Sequence, residues 1–295
     1  MSFQIKNEIP DVVEISNGKT FAKIFLKDGA SLQELVFDGE QVIGDISPLH
    51  YKDTYASSLL FPFASRVEDG KYRFNNQEFQ LEINEPERNH ALHGLVYNKS
   101  FVVRSQDAAE DYAKIDLEFE ETNLTKGFPF TYSVYISYLL TENSFDFFVQ
   151  FKNTSESAFP FTYGWHPYFY SSDVSKSFLQ FQSSKEVIFD ERLITQNLIE
   201  KSNNGKLTIG QKQLDDCFQL DTTKVVFSTP NYDLEIKSST ENGFLQVYTP
   251  PIKNCIAIEP VSGISNSFNN KIGLEILQPN EIKNVSWSLE FTSRQ

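Results

Sequence analysis

"YSVYISYLLTENSFDFFVQF", residues 132–151, decides the fold. Tyr132, Val134, Ile136, Tyr138 and Leu140 recur at every second position, and Phe145, Phe147, Val149 and Phe151 repeat the pattern a few residues on. A strand turns successive side chains to opposite faces, so a period of two puts one apolar row on a core. The same period runs outward from this stretch. Ala113, Ile115, Leu117 and Phe119 alternate with Lys114, Asp116 and Glu118, and Val285, Trp287, Leu289 and Phe291 alternate near the far end. "VEDGKYRFNNQEFQLEI", 67–83, predicts a hairpin in which Tyr72 and Phe74 answer Phe79 and Leu81 across a turn at Asn75-Asn76. No stretch holds a 3.6-residue period over a dozen residues, so helices are expected to be few and short. Short strands and turn residues in regular supply predict an all-β chain, a large antiparallel β-sandwich. With no Gly/Ser/Pro-rich linker, low-complexity tract or fixed-period repeat, one continuous domain over residues 1–295 is the simplest account.

Composition agrees and narrows the function. The 27 Phe and 13 Tyr suit strands better than helices, and 40% hydrophobic residues in a chain of 295 suffice for a sizeable core. A net charge of −14 repels nucleic acid and anionic membrane, so neither is expected as a partner. Cys217 and Cys255 form no CxxC pair and no disulfide framework; both are expected as small buried hydrophobes in a reducing cytoplasm. The opening "MSFQIKNEIPDVVE" has neither the basic nor the apolar region of a signal peptide, and no run of about 18 apolar residues suggests a membrane span.

Five stretches break the strand pattern with groups suited to chemistry. Arg66 lies among apolar and small residues in "FPFASRVEDGKY", and His90 and His93 precede Gly94 in "NHALHGL". His166 stands between aromatics in "GWHPYF". Glu259 ends an apolar run in "NCIAIEPVSGISNSFN", where a carboxylate is costly unless bonded or functional. Asp215 and Asp216 sit beside an aromatic in "LDDCFQL". Each has a plainer reading. Arg66 could pair with Glu68 or Asp69, His90 reads as structural, His93 as a turn residue and Asp215 as a cap. His90 and His93 lie in a loop-like segment with no third ligand nearby, which argues against a metal site. There is no GxSxG elbow and no Gly-rich phosphate loop.

Taken in order, these segments resemble the aldose 1-epimerase (mutarotase) family. An N-R-[IV]-x-x-G-x-[FY] pattern matches "ASRVEDGKY", N-x-x-LHG matches "NHALHG", and HPYF is intact at His166. A catalytic-Glu strand followed by a small-residue loop with Asn matches "IEPVSGISNSFN", and the closing aromatic strand matches "LQPNEIKNVSW". The resemblance spans about residues 20–292. It implies a galactose mutarotase-like supersandwich acting on a small-molecule sugar, a hexose, without metal or organic cofactor. By the same resemblance Glu259 is the general base at the C1 hydroxyl and His166 the general acid at the ring oxygen, with Arg66, His93 and Asp215 orienting the sugar. A carboxylate near His166 is expected to restore the imidazolium that its aromatic surroundings disfavour, and those aromatics to serve as a sugar platform or a dry wall. Three departures blur the substrate: Ser65 replaces the family's usual Asn, Tyr97 stands where Arg is frequent, and Pro260 follows the Glu. One branch of the family takes hexose 6-phosphates, which call for extra Arg or Lys near the cleft; six Arg and a strongly negative chain favour a neutral sugar. Two other readings stand beside this one. A non-catalytic carbohydrate-binding protein has no need to keep both Glu259 and His166. A glycoside hydrolase pairing Asp215 or Asp216 with Glu259 leaves His93 and His166 without a role.

Overall fold

The structure, a computed structural model, describes residues 2–294. The two alternating runs that opened the sequence form the strands Tyr132–Thr141 and Ser144–Asn153, antiparallel neighbours in a fifteen-stranded sheet. Their register sets Val134 against Phe151, Ile136 against Val149 and Tyr138 against Phe147. The C-terminal strand Ile282–Ser293 continues the row, with Val285 beside Val149, Trp287 beside Phe147 and Leu289 beside Phe145. One apolar stripe therefore crosses three strands, the arrangement that stabilises a sheet pair by pair. The strand Tyr112–Glu121 lies on the outer side of this group, and its expected inward residues Ala113, Ile115 and Leu117 are buried. Phe119 is half-buried at the margin of the core.

A five-stranded N-terminal meander over residues 4–43 packs its buried face, including Val13, Ile24 and Leu35, into the same core. The Tyr138 hydroxyl ties the two sheets by donating to the Ala30 carbonyl at 2.8 Å. Trp165 and Trp287, both fully buried, stand 6.4 Å apart with Phe147 touching each. A buried Trp is worth roughly 4–6 kcal/mol of removed apolar surface, so this trio anchors the interior. The strands of every ladder pair antiparallel, and the architecture is the all-β sandwich read from the sequence. Among the described residues the helices are two four-residue turns, Tyr51–Thr54 and Ser267–Asn270, and a 3-10 turn, Val174–Lys176. Among the described residues no helix is long and apolar enough to cross a membrane.

The predicted hairpin forms between Lys71–Phe74 and Gln77–Gln80, with Asn75 and Asn76 both at positive φ as a two-residue turn requires. Its register differs in part from expectation. Tyr72 does face Phe79, and the rings stack at 4.9 Å, but Phe74 faces Gln77. Leu81 lies past the last strand pair and donates its N–H to the Gly70 carbonyl at 2.8 Å. The tight two-residue turn forces this: it makes Phe74 and Gln77 the first pair.

The segment that carries His93 depends on the next residue. Gly94 has φ +81°, and a Cβ there would lie 2.3 Å from the Phe61 carbonyl oxygen. Leu95 meanwhile donates its N–H to that same oxygen at 2.7 Å. Gly94→Ala meets both a disfavoured backbone region and a backbone clash, and is expected to destabilise the fold by about 2–4 kcal/mol. Urea unfolding of the variant beside wild type reads this as a lowered midpoint at unchanged slope.

Candidate active site

Strand register builds the site. The strand Cys255–Val261 lies beside two short strands, Gly164–Trp165 and Tyr168–Tyr170, with Gly164 paired to Val261 and Tyr168 to Ala257. This register leaves His166 directly across from Glu259, although 93 positions separate them in sequence. On its other side the strand Phe244–Tyr248 sets Gln246 against Glu259, and the strand Asp215–Leu220 sets Cys217 against Gln246. A second row runs parallel, from Asp215 through Tyr248 and Ala257 to Tyr168. Side chains on one face of a sheet repeat every second residue, so both rows face one way. Together they floor a cavity of about 280 Å³.

His166 and Glu259 meet at 3.3 Å, Nε2 to Oε1, with both side chains at most 6% exposed. The His166 backbone is held on both sides: Ser57 donates its N–H to the His166 carbonyl at 2.8 Å, and the His166 N–H donates to the Ser58 carbonyl at 3.1 Å. The ring stacks on Tyr168 at 5.0 Å. Burial holds His166 down to about 4 and pushes Glu259 well above the usual carboxylate range; Asp215 adds to the rise and Arg66 opposes it. The expectation that a neighbouring carboxylate restores the imidazolium is therefore not met in this site. There desolvation outweighs the charge partner, and the neutral forms of both groups are favoured. Of the aromatics around His166, Trp165 points into the core and only Tyr168 reaches the cavity, as alternation along 164–168 requires.

Another wall of the cavity is made by the strands Arg66–Glu68 and His90–Leu92, which place Leu92 across from Arg66. His93 follows at φ +60° and donates its N–H to the Ser65 carbonyl at 3.0 Å. Its ring lies edge-on to His166 at 5.0 Å and tilted against Tyr55 at 4.9 Å. Burial first, then the nearness of His166 and Arg66, hold His93 well below its ordinary value, which leaves a neutral ring with Nδ1 free of protein partners. Arg66 does not pair with Glu68 or Asp69. Those acids bind Arg192, and Arg66 makes a two-pronged bond to Glu85, Nε and Nη2 each at 2.8 Å. The Arg66 carbonyl also accepts from Asn266 N–H at 2.6 Å, tying this wall to the loop that follows the Glu259 strand. Asp215 opens to the cavity and accepts from Gln246 Nε2 at 2.8 Å; burial by the walls raises its carboxyl, an effect that Arg66 opposes. Asp216 faces away, toward Glu186.

The five residues to which the resemblance gave roles thus line one cavity: Arg66, His93, His166, Asp215 and Glu259. His90 stays outside it, fully buried, and accepts the Asp69 N–H on Nδ1 at 3.1 Å. Sequence reasoning passed over Glu85, Arg88, Tyr55, Gln246 and Tyr248, which also line the cavity. Gln246 was the most accessible of these, a polar residue sharing its face with Phe244 and Tyr248. Of the departures, Ser65 lines the cavity at φ +57°, and Tyr97 packs edge-on to Tyr55 at 4.8 Å, buttressing the wall. The arrangement sets a carboxyl and an imidazole within proton-transfer distance and lines the same cavity with Arg66, His93 and Asp215.

The sequence model of the family described as aldose 1-epimerase matches residues 11–290. A curated relative, the uncharacterized protein YihR of Escherichia coli K12, is 25% identical over 268 residues, covering 85% of this chain and 83% of its own. Among solved structures, a galactose mutarotase-like protein from Clostridium acetobutylicum superposes with a TM-score of 0.87 at 20% identity, covering 99% of both chains. The galactose 1-epimerase of Lactobacillus acidophilus gives 0.79 at 19% identity, covering 99% of this chain and 98% of its own.

Proposed function

The chain belongs to the aldose 1-epimerase family, and we propose that it interconverts the α and β anomers of a free hexose, with Glu259 and His166 moving the proton. The observation that carries this reading is the pair itself: a carboxyl and an imidazole 3.3 Å apart on the floor of a sugar-sized cavity. Anomer exchange needs one proton taken from the C1 hydroxyl and one delivered to the ring oxygen. In the proposed cycle the Glu259 carboxylate accepts the hydroxyl proton while His166 Nε2–H gives its own to the ring oxygen. The bond between C1 and the ring oxygen breaks and an aldehyde forms. Rotation about C1–C2 and the reverse transfers close the ring on the other face.

The pair starts with one proton on His166 and ends with one on Glu259, so its net charge is zero throughout. Burial favours the neutral pair at rest, so the proton passes from Glu259 to His166 before the ring opens, and the charge-separated arrangement this makes is driven to give up its charges as the aldehyde forms. Each positioned proton-transfer group is worth ~10²–10⁴-fold. Arg66, His93 and Asp215 would orient the sugar, with Gln246 beside Asp215. A binding-only descendant would have no use for a buried carboxyl and imidazole whose ordinary order of proton affinity burial reverses, and the buried polar pair would be a standing cost.

The lining also bears on substrate charge. Asp53 and Asp215 reach the cavity without an ion pair among the described residues, whereas Arg66 and Arg88 share one carboxylate, Glu85, and Arg88 also meets Glu87 at 3.8 Å. A phosphate would meet guanidiniums whose charge is shared with Glu85, with one Arg66 nitrogen left to offer, and acids that repel it, which supports an uncharged hexose. Polarimetry of freshly dissolved α-D-glucose and α-D-galactose tests the proposal. The protein is expected to accelerate the decay of rotation well above the spontaneous rate for at least one, and glucose 6-phosphate is expected to be at least about tenfold poorer in kcat/KM. No acceleration with any of the three would remove the anomerase reading in favour of a binding protein.

A further inference from the structure

Glu85 is the most deeply buried acid of the cavity wall apart from Glu259, at 5% exposure. It opens a tight loop in which its N–H donates to the His90 carbonyl at 3.1 Å and its carbonyl accepts the His90 N–H at 3.2 Å. Its carboxylate takes the Arg66 fork on both oxygens, and Oε1 also accepts from Arg88 Nη1 at 3.1 Å. A carboxylate removed from water costs several kcal/mol unless its lone pairs are met, and here two guanidiniums meet them. The Arg66 fork leaves Nη1 as the nitrogen with no protein partner among the described residues, on a side chain that lines the cavity.

We propose that Glu85 is a positioning residue for the sugar reaction, fixing the Arg66 guanidinium with one edge left for a hydroxyl and offsetting the charge of two arginines beside the proton-transferring pair. The inference rests on the anomerase reading above. Glu85 itself touches neither the pair nor the floor strands; it acts through Arg66. An arginine held by two parallel bonds keeps one plane, whereas a single bond leaves it free to swing. The charges around the pair show why the balance matters. Glu259 faces His166, Asp215, Arg66, Cys217 and Tyr168, with His93 beyond His166. Glu85 faces Arg66 and Arg88, and its field reaches Asp215 and Tyr55. Without Glu85, Arg66 and Arg88 stand uncompensated next to two carboxyls whose protonation the cavity supports.

The test is the pH dependence of mutarotation by the full chain, read by polarimetry for wild type, Glu85→Gln, Glu85→Asp and Arg88→Gln. Thermal unfolding confirms that each variant is folded. Glu85→Gln is expected to raise KM about tenfold, the loss of one charge-assisted bond. It should also move the alkaline limb of the rate profile down by about one pH unit, because net positive charge favours the Glu259 carboxylate. Glu85→Asp keeps the charge and shortens the reach, so KM rises and the limb stays. Arg88→Gln, which removes a half-exposed side chain and should fold even if Glu85→Gln does not, tips the balance the other way and moves the limb up. A limb unmoved in both Glu85→Gln and Arg88→Gln overturns the proposal. So does a fall in kcat alone that is equal in the two Glu85 variants. These outcomes are read only where wild type turns over sugar; a wild type without activity strikes the proposed function itself.

Discussion

Glu259→Gln is expected to cut kcat for anomer interconversion by at least ~10³-fold while changing KM only a few-fold. The amide has the size of the carboxyl and keeps a hydrogen-bonding oxygen, so a sugar can still be held opposite His166. It cannot take a proton from the C1 hydroxyl at any useful pH. A loss confined to kcat marks a group that acts in the transition state, whereas a loss confined to KM would make Glu259 a mere ligand and sink its assignment as base. Stability gives an independent check with a definite sign. Burial raises the carboxyl well above its ordinary value, so between that ordinary value and the raised one the folded state binds the proton that the unfolded state has released. Stability contributed by the protonated form is therefore full below the ordinary value and lost as pH rises through the raised one. Glu259→Gln removes that loss. Its thermal midpoint is expected to equal or exceed that of wild type at neutral and alkaline pH, with the two curves converging in acid. A variant that is both inactive and markedly less stable at neutral pH would mean that Glu259 is held there for structure.

How much of this was legible before any coordinates depended on the range of the interaction. Alternation is local, so the strands around Tyr132–Thr141 and Ser144–Asn153 and their buried rows could be read directly. The long hairpin of Phe178–Phe189 and Thr195–Thr208 could not, because its second strand is largely exposed on both faces and carries no apolar period. Register is not local. Nothing near residue 166 in the sequence says that its antiparallel partner is residue 259; only the motif order of the family hinted at it. The Arg66 partner shows the same limit. Proximity in sequence suggested Glu68 or Asp69, yet pairing of the His90–Leu92 strand brings the 85–90 loop to Arg66, while Arg192 arrives from the far hairpin and takes the nearer acids. Gln246 and Tyr248 read as ordinary members of a strand until the neighbouring strand proved to carry Glu259.

His166→Asn should cost ~10²–10⁴-fold in kcat, and the shape of the residual pH profile tells more than the size of the loss. In wild type the reaction needs one proton on the pair. Burial holds His166 down to about 4, so a second proton enters only in strong acid and the acid limb lies far below the ordinary imidazole range. Burial holds Glu259 up, so the shared proton departs only well above the ordinary carboxylate range. The wild-type rate should accordingly stay level from about pH 5 upward and fall on the alkaline side, where both members are deprotonated. The variant retains one titrating member. Its residual rate depends on the Glu259 carboxylate alone, so it should rise with pH through the raised value where wild type falls, and the acid limb belonging to His166 should vanish. A histidine that only shapes the cavity would give a different result: a uniformly lower rate with both limbs in their wild-type places. Crossing profiles for the two proteins, measured by polarimetry on one sugar, would identify His166 as the group that exchanges the proton with Glu259; parallel profiles would refute that role whatever the loss in rate.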